Sequence, residues 1–347
     1  MSKIIISADS KSIIRGPYKA QLSCAVKFFN PDSFKLAYFD FMKDLFQKEG
    51  KEMQRDIYKS FELGSKFVEN QEKFYEILLS FAKFLNEQNV EINVIYTSLY
   101  SPKLKRGVNL YGGNRSVKRV SIPTFIDILG SYHNYISIWK LHNIGQDLSS
   151  AEILLDCFEG EFTRAWDEIK DFNISIIPEG DRCNAFVSTA DLCCKFIDIL
   201  LKKKKEKLGD EILNNIFKKE NLNNFKAIYS GHQDLRYLMP IYNSKIKIEN
   251  HYKRPMIFVL KEGISGSESK IFEGSVYWDS ILNLASKFGG GVKHIDYNQD
   301  ASKIREEDYL ICTGPRGEEQ AKRFLEWGYK FNYLNLKQLN EELAKSL

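Results

Sequence analysis

Short apolar runs alternate with helical repeats in the middle of the chain. The run Ile153-Leu154-Leu155 leads directly into Asp156, and apolar residues at helical spacing follow between positions 162 and 169. A second apolar run then covers residues 174–177. The pattern predicts a strand, a helix and another strand, with a carboxylate at the end of the first strand.

Two further aspartates are predicted to lie near Asp156. Ser188 or Thr189 is suited to cap a helix that has Asp191 in its first turn, and the N-terminal apolar run predicts a strand that ends at Asp9. Mg²⁺ and Mn²⁺ prefer oxygen ligands, and α/β proteins gather ligands at the carboxyl ends of their strands. The three aspartates therefore predict a divalent-cation site. Turn formation and the helix dipole remain the alternative roles for aspartate at such positions.

The rest of the first 150 residues predicts a mixed sheet with helices. Alternation between residues 20 and 28 predicts a strand that is antiparallel to the first, and residues 35–41 form a third strand or begin a helix. Residues 42–89 follow a mostly helical pattern, and residues 90–96 follow a strand pattern. An amphipathic helix is expected over residues 126–141.

Residues 101–121 form the most basic stretch, and they are predicted to be a loop. The stretch contains no acidic residue, and Tyr111 lies among its cations. Lysine and arginine on such a loop neutralise phosphates, and an aromatic ring can stack on a base, so a nucleic-acid contact is one interpretation and a solvated surface loop is the other. The candidate nucleic-acid-binding residues are Lys103, Lys105, Arg106, Arg115, Lys118 and Arg119.

Composition narrows the class of protein. The 347 residues are enough for two domains, and 43% hydrophobic residues are enough for globular cores. The net charge of +4 is too small to indicate nucleic-acid binding by itself. The six cysteines have no CxxC spacing, and we find no signal peptide and no apolar run of membrane-spanning length. We expect a cytoplasmic protein with free thiols and no membrane contact.

The C-terminal part has the pattern of a small Rossmann-like α/β domain. Strand-like and helix-like segments alternate there, which predicts a parallel sheet. Gly314-Pro315-Arg316-Gly317 opens a helix, where it forms either an anion or phosphate site or only a tight turn. We expect a domain over residues 1–250 and an accessory domain over residues 255–347 that binds a nucleotide or a protein partner.

The order of these elements resembles the ribonuclease H-like fold. Residues 3–201 more narrowly resemble the family known as domain of unknown function 3800, which opens with an Asp-Glu-Ser type motif and closes with an Ala-Asp-Leu helix. The matching segments are IIISADSKS around Asp9, EILLDCFEG around Asp156 and VSTADLCCKF around Asp191. Ser10 departs from the pattern because an acidic residue is usual there.

The resemblance implies a nuclease that hydrolyses phosphodiester bonds of DNA or RNA with Mg²⁺ or Mn²⁺. Asp9, Asp156 and Asp191 would be its catalytic and metal-binding residues. Glu159 or Glu161 would be a fourth ligand or would orient the water, or would instead cap the following helix; we select Glu161 as the fourth catalytic residue. The alternatives are a catalytically impaired nucleic-acid-binding or scaffold protein, and a nucleotide-sensing regulatory protein. The pattern does not predict an oligomeric state.

Overall fold

The computed structural model describes most of the chain. The described residues are 4–15, 18–67, 71–100, 108–111, 117–120, 122–156, 171–206, 208–234, 253–261, 276–296, 301–312, 314–335, 337–339 and 341. The strands are β1 (Ile4–Arg15), β2 (Tyr18–Phe28), β3 (Val90–Tyr100), β4 (Val108–Tyr111), β5 (Val117–Val120), β6 (Ala151–Leu155), β7 (Asn173–Ile176), β8 (Phe225–Asp234), β9 (Met256–Lys261), β10 (Gly291–Asp296), β11 (Tyr309–Cys312) and β12 (Asn332–Asn335). The helices are α1 (Pro31–Lys48), α2 (Ser60–Phe67), α3 (Gln71–Glu87), α4 (Ile122–Asn143), α5 (Gly180–Cys183), α6 (Ala185–Lys204), α7 (Asp210–Lys219), α8 (Val276–Phe288) and α9 (Pro315–Glu326).

The larger sheet is mixed, as the sequence predicts. Its strand order is β7-β6-β1-β2-β3-β8. Strands β1, β2 and β3 pair antiparallel, whereas β6 is parallel to β1, β7 is parallel to β6 and β8 is parallel to β3. The antiparallel hairpin of β1 and β2 confirms the alternation read from the sequence, and β8 adds an edge strand that the sequence pattern did not predict.

Helices cover both faces of this sheet. Leu22 and Cys24 of β2 belong to an apolar core that also contains Val187 and Cys194 of α6. Ser23, which lies between them, donates its hydroxyl to Asn134 Oδ1 of α4 at 3.2 Å. Since neighbouring residues of a strand point to opposite faces, α6 and α4 lie on opposite sides of the sheet.

The smaller sheet is parallel throughout, which confirms that prediction. Its order is β10-β9-β11-β12. Ile257 and Val259 of β9 pack in one core with Trp278 of α8, while Phe258 packs in another core with Phe324 of α9. The near-continuous apolar run of β9 is therefore explained by burial on both faces.

The two sheets meet along α5 and β10. Val292 N–H donates to the Pro178 carbonyl at 2.9 Å, and a Cβ on Gly291 would lie 2.6 Å from that same oxygen. The Arg254 guanidinium donates to both carboxylate oxygens of Glu152, at 2.9 and 2.7 Å, and to the Gly289 carbonyl at 3.0 Å. Close backbone approach and a buried ion pair thus join the two sheets.

Two predictions of local structure were wrong or incomplete. Asp9 does not end its strand, because the polar residues after it keep pairing with β2 as far as Arg15. Of the two alternatives for residues 35–41, the helix is confirmed, because these residues belong to α1. The basic stretch 101–121 is not simply a loop, since β4 and β5 form an antiparallel pair within it. The predicted helix over residues 162–169 lies outside the described residues.

In the described part of the chain, no helix combines the length and apolarity needed to cross a membrane.

Helix α6 begins earlier than the sequence pattern predicts. Its N-cap is Asn184, whose side-chain oxygen accepts from Phe186 N–H and Val187 N–H. The residues expected to cap it are inside the helix, where Ser188 donates to the Tyr58 carbonyl instead. Asp191 is therefore in the second turn of the helix and not in the first.

Candidate active site

Four aspartates from four different elements gather beside β1. Ala8 of β1 pairs with Leu155 of β6, so the residues that follow them, Asp9 and Asp156, lie side by side. Asp181 lies on α5, and Asp191 lies on α6, which packs against β1. We call these four residues the acidic cluster.

Backbone and hydroxyl donors fix two of the four carboxylates. Ser60 donates its backbone N–H to Asp191 Oδ2 at 2.6 Å and its hydroxyl to Asp191 Oδ1 at 2.8 Å. Gly180 N–H donates to Asp156 Oδ1 at 2.7 Å. These hydrogen bonds set the orientation of both carboxylates before any ligand binds.

A thiol contact aligns the helix with the strand. Cys194 Sγ donates to the Asp9 carbonyl at 3.2 Å, which fixes α6 along β1. The contact lies one helical turn beyond Asp191, so it keeps Asp191 and Asp9 close together.

Burial and mutual repulsion raise the pKa of three aspartates of the acidic cluster, Asp9, Asp156 and Asp181. Burial, and then the charges of Asp191 and Asp181, raise the pKa of Asp9 to about 8. Burial and the charge of Asp181 hold the pKa of Asp156 well above its ordinary value. The pKa of Asp181 is raised to about 6 by burial, although Lys59 opposes that effect. The cluster therefore gathers acidic groups in a poorly solvated place, where they repel each other when they ionise.

Lys59 contributes a positive charge to this site. Its ammonium group pairs with Asp181 Oδ2. Burial lowers the pKa of Lys59, but the charges of Asp181, Asp156 and Asp191 outweigh burial and raise it. Lys59 stays protonated and offsets part of the negative charge.

The oxygen atoms that the cluster offers as ligands suit a hard divalent cation. All four side chains offer carboxylate oxygens, and Asp181 Oδ1 is buried with no hydrogen-bond partner in the described structure. Among the described residues, however, no three His, Cys, Asp or Glu side chains are arranged to hold one metal ion as they stand. Mg²⁺ or Mn²⁺ would fit the type of ligand, and binding it would require these carboxylates to turn toward each other.

The structure brings together three of the predicted site residues, Asp9, Asp156 and Asp191. Glu161 lies outside the described residues, as do four of the predicted nucleic-acid-binding residues, Lys103, Lys105, Arg106 and Arg115. Lys118 and Arg119 are on β5, of which only the backbone is described.

Sequence reasoning missed Asp181, Lys59 and Ser60. Asp181 had only a weak signal, because it lies five positions after the end of β7, in the short helix α5, whereas Asp156 directly follows β6. Lys59 and Ser60 had none, because they reach the cluster only through the packing of α2 against α6.

Together the fold and the cluster define an α/β protein with a mixed sheet, a second parallel sheet and a buried acidic site beside a lysine. A sequence model of the family described as Domain of unknown function (DUF8203) matches residues 6–249, and the chain belongs to this family. A protein of Archaeoglobus fulgidus named "Uncharacterized protein" is 26% identical over 325 residues, which cover 92% of this chain and 94% of that protein. The similarity to it therefore extends beyond the family match and into the smaller sheet. No solved structure matches the chain.

Proposed function

We propose that the protein is a divalent-metal-dependent nuclease that hydrolyses phosphodiester bonds of DNA or RNA at the acidic cluster. The observation that carries this proposal is the convergence of Asp9, Asp156, Asp181 and Asp191 from four elements onto one place. Burying several carboxylates together is unfavourable without compensating charge. A site that retains them is best explained by a cationic ligand.

The strand order supports a ribonuclease H-like interpretation of the larger sheet. Three antiparallel strands occupy one side of it, and β6 and β7 continue in parallel from β1 on the other side. Counted along the chain, Asp9 is on the first strand of this sheet and Asp156 follows the fourth. Asp191 is on a later helix. This arrangement agrees with the predicted resemblance to the family known as domain of unknown function 3800, which stays a prediction.

The chain's own groups have distinct roles in the proposed reaction. Asp9, Asp156, Asp181 and Asp191 would hold Mg²⁺ or Mn²⁺, and when bound the ion would lower the pKa of a water and stabilise the leaving oxygen. Ser60 keeps the Asp191 carboxylate oriented, and the backbone N–H of Gly180 does the same for Asp156.

Lys59 is suited to contact the substrate phosphate. About a third of its side chain, 36%, is exposed, and its positive charge is maintained by three aspartates of the cluster. Lys59 would offer its ammonium group to a phosphate oxygen if Asp181 held a divalent ion instead of pairing with the lysine. Glu161 remains a prediction for orienting the water.

The direct test is cleavage of labelled single-stranded, duplex and hybrid oligonucleotides with Mn²⁺ or Mg²⁺. We expect the wild-type protein to cut at least one of them, and Asp156→Asn and Asp191→Asn to bind it without cutting. Asp40→Asn, an exposed aspartate of α1, is the matched control and should cut normally. No cleavage by the folded, metal-loaded wild type, or equal cleavage by all variants, would refute the proposal.

A nucleic-acid-binding protein with an impaired metal site is the second candidate. It is favoured by the ion pair of Lys59 with Asp181, which places a resident cation in the cluster, and by Ser10, which stands where an acidic residue is usual. This candidate predicts oligonucleotide binding that does not depend on divalent ions and that weakens steeply with salt. The nuclease predicts tighter binding when a divalent ion is present.

A further inference from the structure

Two lysines lie next to each other at the edge of the acidic cluster. Lys11 follows Asp9 by two residues on β1, so both side chains point to the same face of the strand. Ile5 and Ile13 are also odd-numbered residues of β1, and they belong to the same apolar core as residues of α6. This face of β1 is therefore the one that α6 covers. Lys11 therefore faces the helix.

Lys195 reaches the same place from α6. It follows Asp191 by four residues, which is about one helical turn. The neighbouring Cys194 contacts the Asp9 carbonyl at 3.2 Å, so the helix is fixed against the strand at this point. Lys11 and Lys195 consequently lie together at the edge of the acidic cluster.

Within the described part of the chain, neither lysine lies close enough to a carboxylate to form an ion pair. The nearest acidic residue along the helix, Asp198, pairs with Lys202 at 2.8 Å. The pKa of Lys195 is lowered by burial and then by the charge of Lys11, with a smaller contribution from Lys202, against the opposing charges of Asp198 and Asp191. Asp198 and Asp191 offset only part of this effect, so the two cations still repel each other, and an anionic ligand would relieve that repulsion.

We propose, on the basis of the proposed nuclease function, that Lys11 and Lys195 form a phosphate-binding subsite for the nucleic-acid strand. Two residues of a strand span about 6–7 Å, so a phosphate at the lysines is distinct from one at the carboxylates. The subsite would hold a neighbouring phosphate and thereby position the scissile one. Base identity would not affect this contact, because phosphates carry no sequence information.

The test measures binding of a fluorescein-labelled single-stranded oligonucleotide to the full chain in Ca²⁺ at several salt concentrations. Lys11→Gln and Lys195→Gln should each weaken binding about three- to tenfold and reduce the slope of log Kd against log salt by about 0.7. Lys203→Gln is the matched control, because Lys203 is on the same helix and pairs with Glu72. It should leave affinity and slope unchanged.

The melting temperature separates a phosphate-binding role of the two lysines from a purely structural role. Replacing Lys11 or Lys195 removes like-charge repulsion, so both variants should melt at the same temperature as the wild type or higher. A double variant that binds the oligonucleotide with wild-type affinity and salt slope would overturn the subsite, whatever the cleavage assay shows.

Failure of the nuclease proposal can be recognised separately. If the wild type neither cuts nor binds any oligonucleotide, the proposed function is wrong, and inorganic phosphate becomes the probe. A rise in melting temperature with phosphate that is lost in the double variant would then support an anion subsite at these lysines. Equal shifts in both proteins, or no shift in either, would overturn it.

Discussion

Replacing Asp9 by asparagine should stabilise the metal-free protein at high pH. The reason is that the Asp9 carboxyl has a pKa of about 8 in the folded protein, whereas the ordinary value for aspartate is 3.8. The folded state thus binds this proton more tightly than the unfolded chain does. Stability associated with Asp9 is therefore complete below about pH 4 and is lost as the pH rises through about 8.

The size of the effect follows from the same two pKa values. One pKa unit corresponds to about 1.4 kcal/mol, so full ionisation of Asp9 opposes folding by at most about 6 kcal/mol. Because the side chain is only partly buried in the fold, we expect about half of that, roughly 2–3 kcal/mol, at pH 9. Asparagine has nearly the shape of the protonated acid, so the two proteins should match below about pH 4, and at pH 5 they should differ by only a small part of this amount.

Urea unfolding in EDTA at pH 5, 7 and 9 measures this difference. The wild type should lose stability across the series relative to Asp9→Asn, and Asp40→Asn should follow the wild type at every pH because its side chain is exposed on α1. An Asp9→Asn variant that is destabilised by the same amount at all three pH values would refute the crowding of carboxylates around Asp9.

Three further predictions concern the junction of the sheets and the site. Arg254→Met should lower the free energy of unfolding by about 3–5 kcal/mol because it leaves a buried carboxylate unpaired, whereas Arg323→Met, in an exposed pair, should change it by less than about 0.5 kcal/mol in the same urea titration. Gly290→Ala would place a methyl group 1.7 Å from a backbone carbonyl oxygen, and calorimetry should show a loss above about 2 kcal/mol. Ser60→Ala removes the hydroxyl that orients Asp191, and it should weaken Mn²⁺ binding about tenfold by calorimetric titration while Ser60→Thr retains it. Unchanged values for any of the three variants would contradict the contact concerned.

The spacing of apolar residues along the chain was sufficient to predict several strands and their pairing. The hairpin of β1 and β2, the strand before Asp156 and the parallel strands of the smaller sheet all follow from apolar periodicity. Three of the four members of the acidic cluster were found because they follow or lie within such elements.

The remaining features depend on contacts between segments that are far apart in the chain. The start of α6 was predicted wrongly because Asn184 caps it before Ser188 can. Lys59 reaches the cluster from a segment without a regular pattern, and its partner Asp181 lies 122 positions later. The pairing of Arg254 with Glu152 likewise requires the arrangement of both sheets, which no local pattern contains.

We propose that Asp9, Asp156, Asp181 and Asp191 form one divalent-cation site. Calorimetric titration of the metal-free protein with Mn²⁺ tests it most directly, with Asp156→Asn and Asp181→Asn as variants and Asp40→Asn as control. We predict saturable binding by the wild type and the control, and a loss of at least about tenfold in affinity for both cluster variants. Absence of binding by the folded wild type, or equal binding by all four proteins, would contradict the claim.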